Sequence, residues 1–409
     1  MDPHTAIAPL RPFMARVLEE IGPRPSCSPA ERRLGARLEE DWAQFCDRVA
    51  AEPFTCHPRA FLGWLHWLPA LYLAALFAWW LFPPLALPLA GAGVVVLWVQ
   101  GVRFGTLLDP LFPTAEGVNV VGTVAPRGPV ARRVYVVAHQ DSAYEFSFWY
   151  RFKNLSLPLM LVGAAAFVWL ALAGAVAWMA WPFGALDSGI FSALGWSAAA
   201  LYPVVGLFAF FTLWTPVPGA LDNLSGIAVQ TALGQAAAAG PGGGRALEGT
   251  EVVLLACSSE EAGLRGSRAY VARHRVDLGG LPTFVLNLDG LGDARHLTLL
   301  ARELWTGARY DDRLMALLEG TAREHGLGLR RATLPLGGTD AAPFANAGFP
   351  AVTLIAQDSG RLIPEYHTRL DVLEAVSDDA LAAGFALGWG LLTRLDAGAL
   401  DRSAPATTP

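Results

Sequence analysis

The chain has 409 residues, a net charge of -6, 53% hydrophobic residues and only 16% charged ones, with a mean hydropathy of +0.37. This composition is too apolar for a purely soluble enzyme, so membrane segments are expected. Nucleic-acid binding is disfavoured, because Lys153 is the only lysine and no basic stripe could neutralise phosphates. Free thiols in a reducing compartment are predicted, because the four cysteines lack both zinc-knuckle spacing and disulfide-scaffold density: Cys27, Cys46, Cys56 and Cys257.

The first sixty residues predict two amphipathic helices. Residues 11–23 carry the first helical pattern, which ends at a Gly-Pro pair. The second helix is expected to begin after Ser28 as N-cap, with Pro29 at the first helical position and Glu31 in the first turn. No basic region precedes an apolar core and a small-residue cleavage site, so we expect no secretory signal peptide.

Four long apolar runs predict two transmembrane hairpins, residues 61–82 with 85–102, and residues 155–181 with 190–214. Each run can cross a hydrocarbon core about 30 Å thick at about 1.5 Å per residue. Tryptophans lie towards the segment ends, as in an interfacial belt: Trp64, Trp67, Trp79, Trp80 and Trp98. Core helices of a soluble enzyme are the alternative for one run, but four such runs favour membrane helices.

Short runs rich in β-branched residues, bounded by glycine and proline, predict strands outside the hairpins. They are residues 117–126, 131–143, 250–257 and 283–292, with a further strand after residue 349. Strands that alternate with helical stretches predict an α/β domain. Its sites are expected beyond the carboxyl ends of the strands.

The residues that could carry chemistry follow these strands. His139 and Asp141 lie at the end of the second run, adjacent carboxylates Glu260 and Glu261 follow the third, and Asp289 lies near the end of the fourth. Neighbouring side chains on a loop diverge, so one glutamate can bind a metal while the other acts as a base. For each motif alone a structural role remains open, such as a core histidine paired with an acid or glutamates on a solvated helix face.

Loops contribute three further candidates. Asp222 precedes an apolar helix and could be its N-cap, Asp340 lies in a glycine-rich loop, and His367 precedes the final helix. Six residues at strand ends and loops fit a two-metal hydrolytic site, with one shared carboxylate, one histidine and one carboxylate per ion, and one free base. The six are His139, Asp222, Glu260, Glu261, Asp289 and His367. Nitrogen and oxygen ligands suit zinc, with manganese or cobalt as alternatives.

Eight motifs in this order resemble metallopeptidase family 28, the co-catalytic zinc peptidases that include aminopeptidase Y and bacterial leucyl aminopeptidases. The motifs are IGPRPSCSPAERR, NVVGTV, AHQDS, LDNLSG, SSEEAGLRGS, NLDGLG, GTDAAPF and YHT, and the resemblance covers about residues 13–57 and 104–398. It implies a three-layer α/β/α zinc-aminopeptidase fold with a mixed central sheet, interrupted here by the two hairpins.

The resemblance also implies roles for individual residues. Two zinc ions would share Asp222, with His139 and Asp289 on one ion and Glu261 and His367 on the other. Glu260 would be the general base that takes a proton from water and returns it to the leaving amine of a peptide. Asp141 would orient His139 and Asp340 would support the site. Ala341 replaces a histidine found in many relatives, which concerns substrate contacts.

The implied arrangement divides the chain into six segments. Residues 1–60 are the N-terminal helical part of the peptidase domain, 61–103 the first hairpin, 104–154 peptidase strands, and 155–215 the second hairpin. Residues 216–400 complete the peptidase domain, and 401–409 form a disordered tail. The expected partners are a peptide substrate and a lipid bilayer.

Three other functions remain open at this point. A glutaminyl cyclase has the same fold with one zinc, but His139 and Asp289 together favour two metals. A receptor or scaffold like the transferrin receptor would have lost its ligands, and all five are present here. A transporter would carry polar groups inside its membrane segments, which are almost absent.

Basic residues predict the orientation in the membrane. Arg59, Arg103, Arg151 and Lys153 flank the apolar runs on the catalytic side, and the two hairpin loops contain no lysine or arginine. By the positive-inside rule, the catalytic domain and both termini are expected in the cytoplasm.

Overall fold

An eight-stranded mixed sheet organises the globular part of the chain, as seen in a computed structural model that describes residues 6–240, 243–358 and 363–401. The predicted disordered tail lies outside the described residues from residue 402 onward. In chain order the strands are β1 Arg48–Cys56, β2 Ala115–Val124, β3 Arg132–His139, β4 Thr250–Cys257, β5 Thr283–Leu291, β6 Leu297–Glu303, β7 Arg330–Leu334 and β8 Ala351–Ala356.

The strands lie in the order β1-β2-β4-β3-β5-β8-β6-β7. The central run β4-β3-β5-β8 is parallel, whereas β1 with β2, β2 with β4, and β6 with β8 are antiparallel. The mixed sheet predicted from the sequence is therefore confirmed. In the parallel register His139 pairs with Cys257, so the ends of β3 and β4 lie side by side.

Helices cover both faces of this sheet. Val134, Val136 and Ala138 of β3 belong to the main core, which includes the helices Ser225–Ala238 and Asp378–Asp396. The intervening Tyr135 points to the other face, where its ring meets Tyr270 and Phe344. Because side chains alternate along a strand, this pattern demonstrates a layer of helices on each side, and the predicted α/β/α fold is confirmed.

Among the described residues, five further helices belong to this part, and two of them, Pro29–Trp42 and Asp312–Glu324, begin with a side-chain cap. The five are Leu10–Glu20, Pro29–Trp42, Arg265–Leu278, Asp312–Glu324 and Ala341–Asn346. Ser28 caps the second of them as predicted, because its side chain accepts a hydrogen bond from the Glu31 N–H.

The apolar runs form a second compact unit. The chain divides into residues 1–58, 114–143 and 216–409 as unit 1, and residues 59–113 and 144–215 as unit 2. Four helical spans of unit 2 are long and apolar enough to cross a membrane: Ala60–Leu81, Pro83–Val102, Ser147–Phe183 and Gly189–Phe210. The domain boundaries expected from the sequence stay a prediction.

Glycines bring the helices of unit 2 into close contact. A Cβ atom at Gly163 would lie 2.5 Å from the Phe208 ring, and one at Gly174 would lie 2.7 Å from the backbone of Leu87. Tyr72 donates its hydroxyl to the Ala198 carbonyl at 3.0 Å, which links two of the spans. Close contacts at small residues and hydrogen bonds between helices are common features of transmembrane helix packing.

In unit 1, the residues on either side of each inserted stretch are paired with each other. Cys56 at the end of β1 pairs with Ala115 at the start of β2. The Val217 N–H donates to the Ala143 carbonyl at 3.0 Å. The two chain stretches of unit 2 are therefore inserted between neighbouring residues of unit 1.

Candidate metal centre

The predicted ligands come from separate loops at one edge of the parallel strands. His139 ends β3, and Glu260 and Glu261 lie in the loop between β4 and the helix Arg265–Leu278. Asp289 lies within β5 at an irregularity of its pairing with β8, slightly before the strand end that the sequence suggested. The parallel register brings these strand ends together.

Asp222 is not the N-cap of the helix that follows it. The helix begins at Ser225, its N-cap residue is Leu224, and Asp222 has a non-helical backbone with φ -119° and ψ 90°. The carboxylate is therefore released from a capping role and lies among the other candidate ligands. Asp340 likewise makes no capping hydrogen bond, although a short helix follows it directly.

The two histidines approach opposite oxygens of the same carboxylate. His139 Nε2 lies 3.0 Å from Asp222 Oδ1, and His367 Nε2 lies 3.2 Å from Asp222 Oδ2. His139 Nε2 is also 3.9 Å from Asp289 Oδ1, and His367 Nε2 is 3.3 Å from Glu261 Oε1. Asp222 thus stands between two sets, each with one imidazole and one further carboxylate.

Asp141 contacts both the ring of His139 and the loop that carries Glu260 and Glu261, the glutamate loop. His139 Nδ1 is 3.2 Å from the Asp141 carbonyl oxygen and 3.4 Å from Asp141 Oδ1. The Asp141 carboxylate accepts the N–H groups of Glu260 and Glu261, each at 3.1 Å. Because the Asp141 carbonyl can only accept, Nδ1 carries a proton, and Nε2 is the nitrogen directed at the carboxylates.

Charges in this cluster are unbalanced without a cation. Burial and the charge of Asp222 raise the pKa of Glu261 well above its usual range, and raise the pKa of Asp289 to about 7. Burial acts to raise the pKa of Asp222 as well, but contacts with the two histidines outweigh burial and hold this pKa below its usual range. A lone pair of His139 3.0 Å from a carboxylate oxygen needs a proton or a metal ion between them.

The donor set fits a divalent metal. Ligand atoms of His139, Asp222 and Glu261 all lie within 4.8 Å of one another. Imidazole nitrogen and carboxylate oxygen are ligands that zinc accepts in catalytic sites. The cluster therefore has the donor atoms, the burial and the concentration of carboxylates that favour binding of a divalent metal ion.

Two residues that hold the loops of the candidate ligands were not predicted from the sequence. Asp371 accepts the N–H groups of Leu221 and Asp222, at 2.5 Å and 3.1 Å, and so fixes the loop of the shared carboxylate. Asn119 accepts the Ser258 N–H at 2.9 Å and donates to the Gly266 carbonyl at 2.9 Å, which joins both ends of the glutamate loop. The only sequence signal was the position of Asp371 four residues after His367.

Known proteins resemble this chain in part of its sequence and in its fold. The sequence model of peptidase family M28 matches residues 205–388, which include all the candidate ligands except His139. No curated protein matches the sequence.

Solved structures share the fold over nearly the whole chain. A zinc aminopeptidase from Bacillus subtilis is 16% identical with a TM-score of 0.54, and 96% of this chain and 94% of that chain are covered. An aminopeptidase from Aneurinibacillus sp. strain AM-1 is 15% identical with a TM-score of 0.56, and 96% of each chain is covered. A glutaminyl cyclase from an Acidobacteriales bacterium is 15% identical with a TM-score of 0.54, covering 97% of this chain and 96% of that one. The shared fold and the match to peptidase family M28 support the family resemblance that the sequence motifs carry.

Proposed function

We propose that the protein is a membrane-bound zinc metallopeptidase with two metal ions, acting as an aminopeptidase. One observation carries the proposal: both histidines approach the Asp222 carboxylate, each at a different oxygen. A carboxylate shared in this way is what a pair of ions a few ångströms apart requires. The match to peptidase family M28 supports a peptide as the substrate.

The residues assort into two candidate ligand sets. Asp222 is common to both, His139 and Asp289 complete one, and Glu261 and His367 complete the other. Zinc ions in these positions would polarise the substrate carbonyl and make a water molecule more acidic. Manganese or cobalt could take the same donors.

Glu260 is the residue we assign as general base. Its neighbour Glu261 faces His367, whereas Glu260 makes no ion pair among the described residues. Loss of hydration and the charge of Glu261 raise the pKa of Glu260 well above its usual range, although His139 opposes this. A carboxylate of raised pKa is better able to take a proton from water and return it to the leaving amine.

A glutaminyl-cyclase-like reaction is the second candidate. The fold of this chain is shared with a glutaminyl cyclase over nearly its whole length. Cyclisation of an N-terminal glutamine would leave a peptide of unchanged length and release ammonia, whereas an aminopeptidase releases a free amino acid. A receptor or scaffold of the same fold would produce neither.

The experiment combines metal analysis with a substrate panel. The full chain, purified in detergent, is analysed for metal content and assayed with aminoacyl reporter substrates and with a peptide that begins with glutamine. Two zinc ions per chain and release of amino acids support the proposal. Ammonia release from the glutamine peptide alone would favour the cyclase, and metal-free, inactive protein would contradict both enzymatic functions.

We also propose that unit 2 lies in the membrane and that the catalytic side faces the cytoplasm. The basic residues Arg59, Arg103, Arg151 and Lys153 support this orientation. Reporters fused after Gly189 and after Pro409 test it. A reporter that is active only outside the cytoplasm should respond at Gly189 and stay silent at Pro409, and the reverse pattern would contradict the orientation without affecting the chemistry.

A further inference from the structure

One short N-terminal segment, residues 24–31, touches three of the loops that carry the candidate ligands, yet it supplies no ligand itself. Arg24 is fully buried and Glu31 is buried. Neither side chain has a part in the reaction described above. A buried charge is expensive unless its partners compensate it, so the partners of these two residues indicate what they are for.

Arg24 joins the loop after His139 to the loop before Asp222. Its guanidinium Nε donates to the Gln140 carbonyl at 3.2 Å, and its Nη2 donates to the Gly219 carbonyl at 2.8 Å. The remaining Nη1 donates to the carbonyls of Gly22 and Pro218, at 2.8 Å and 3.0 Å. The side chain therefore binds backbone on both sides of the gap between two candidate ligands.

Glu31 holds the third loop. Its Oε1 accepts the Ser259 N–H at 3.0 Å, immediately before Glu260, and its Oε2 accepts the Cys27 N–H at 2.5 Å. Ser26 in the same segment donates to Asp141 Oδ2 at 2.6 Å. The segment thus reaches the glutamate loop both directly and through Asp141, whose carboxylate accepts the N–H groups of both glutamates.

The Glu31 carboxylate is not needed to cap the helix Pro29–Trp42. Ser28 already caps the helix Pro29–Trp42 by accepting the Glu31 N–H, so the Glu31 carboxylate is free to hold Ser259. A guanidinium presents its donors in a rigid planar fork, whereas a lysine ammonium has three donors around one point. The three guanidinium nitrogens can therefore bind carbonyls on both sides of the gap at once, which the single nitrogen of a lysine is less suited to do.

We propose that Arg24 and Glu31 are positioning residues of the metal centre, which they organise by fixing the backbone of the loops of His139, Asp222 and Glu260. This inference rests on the proposed metal function. Groups that orient metal ligands typically affect metal affinity by about 10- to 100-fold. The effect should therefore be measurable as zinc affinity, without recourse to turnover.

The test uses the full chain and three variants, Arg24→Met, Arg24→Lys and Glu31→Gln. Each metal-free protein is titrated with zinc in competition with a chromophoric chelator, and its melting temperature is recorded with and without zinc. We expect Arg24→Met and Glu31→Gln to bind zinc about 10- to 100-fold more weakly than the wild type. Arg24→Lys should not restore the affinity, because the charge alone cannot replace the fork.

Two matched controls separate positioning from general stability. Ser28→Ala removes the helix cap but leaves the Glu31 contact with Ser259, and Arg33→Met removes an exposed arginine of the same helix. Both should bind zinc within about twofold of the wild type, even if Ser28→Ala melts at a lower temperature. If Arg24→Met fails to fold, the zinc affinity of Glu31→Gln still tests the positioning role, because this variant keeps the side-chain volume and loses only one acceptor.

The outcomes are distinguishable from those of the proposed function. Wild-type protein that binds zinc while Arg24→Met and Glu31→Gln keep its affinity would overturn the positioning role alone. An affinity loss in Ser28→Ala as large as in Glu31→Gln would overturn it as well. Wild-type protein that binds no zinc would contradict the metal function, and this inference with it.

Discussion

The two units of the chain use the same residue types in opposite ways. In unit 1, Trp42 is fully buried and its indole N–H donates to Thr231. In unit 2, the side chains of Trp196 and Phe183 are 68% and 85% exposed. Unit 1 buries most of its large apolar side chains and gathers charges at strand ends, while unit 2 has an apolar outer surface as well as an apolar core.

This contrast shows that apolar content alone does not place a residue in a core. Unit 2 packs its helices through glycines and an internal hydrogen bond, which do not depend on water. Exposed aromatic side chains on this scale are costly in water but suit contact with lipid. The comparison therefore predicts that the units respond differently to the same kinds of change.

The largest effect is expected from Asp222→Ala in unit 1. Removal of the carboxylate that both histidines approach should abolish activity and lower the zinc content, because neither ligand set stays complete. Membrane association, which we assign to unit 2, should be unchanged. Turnover, bound zinc and the membrane fraction are measured on the same preparation. A folded variant with full turnover and both metals would contradict the assignment.

A second pair of variants separates base from ligand within unit 1. Glu260→Gln should keep its zinc and lose about 10² to 10⁴ in turnover, the usual contribution of general acid-base catalysis. Glu261→Gln should lose zinc instead, because that carboxylate faces His367 at 3.3 Å. Metal analysis and rate measurements distinguish the two, and exchanged phenotypes would exchange the roles.

A charge placed on an exposed side chain tests the surroundings of each unit. Val168, near the middle of a helical span of unit 2, and Val276 in unit 1 are 45% and 87% exposed. Arginine in the middle of a membrane helix costs about 2.5 to 3.5 kcal/mol, whereas on a surface in water it costs little. Val168→Arg should therefore reduce the yield of inserted, folded protein, while Val276→Arg should not. Equal tolerance at both positions would contradict a lipid environment for unit 2.

The smallest expected effect concerns a helix cap of unit 1. Asp311 accepts the N–H groups of Arg313 and Leu314 at the start of the helix Asp312–Glu324. Burial acts to raise its pKa, but hydrogen bonds from Arg313 and Leu314 prevail and lower it. Asp311→Ala should cost about 1 kcal/mol of unfolding free energy at neutral pH.

The pH dependence of this cap follows from the lowered pKa. The carboxylate is fully charged above its unfolded pKa of about 3.9, so its contribution is present there and is lost as the pH falls through the folded value. The difference in unfolding free energy between Asp311→Ala and the wild type should shrink below about pH 4. A difference that stayed constant down to acidic pH would show that the cap is not electrostatic.

The strands that were predicted from the sequence are those with runs of apolar residues rich in valine and other β-branched side chains. β3, β4 and β5 are buried on both faces and therefore read as apolar segments. β1, β6 and β7 were missed. The two edge strands β1 and β7 carry charges and proline, as at Glu52, Pro53 and Arg330. The interior strand β6 has Thr298 as its only β-branched residue, so its sequence lacks the usual strand signal. Their position in the sheet is set by pairing with distant residues, which has no local signature.

The candidate site was predictable in composition but not in geometry. Motif order and strand ends pointed to His139, Asp222 and Glu261, because parallel strands deliver their carboxyl ends to one edge. The opposed approach of the two histidines to one carboxylate depends on backbone positions that only the fold determines. Asp371 was missed for the same reason, since its acceptor role exists only where the chain brings the Asp222 N–H to it.

The paired residues at the two insertion points have a consequence for how such a protein can arise. Cys56 pairs with Ala115, and Val217 donates to the Ala143 carbonyl, so each inserted stretch begins and ends at a gap already closed by hydrogen bonds. To unit 1, each stretch is only a surface loop, and doubling the length of a flexible loop adds only about 0.6 kcal/mol to its closure cost. An α/β domain of this kind could thus acquire the apolar helices one hairpin at a time, with the pairing of its own residues left unaltered at every step.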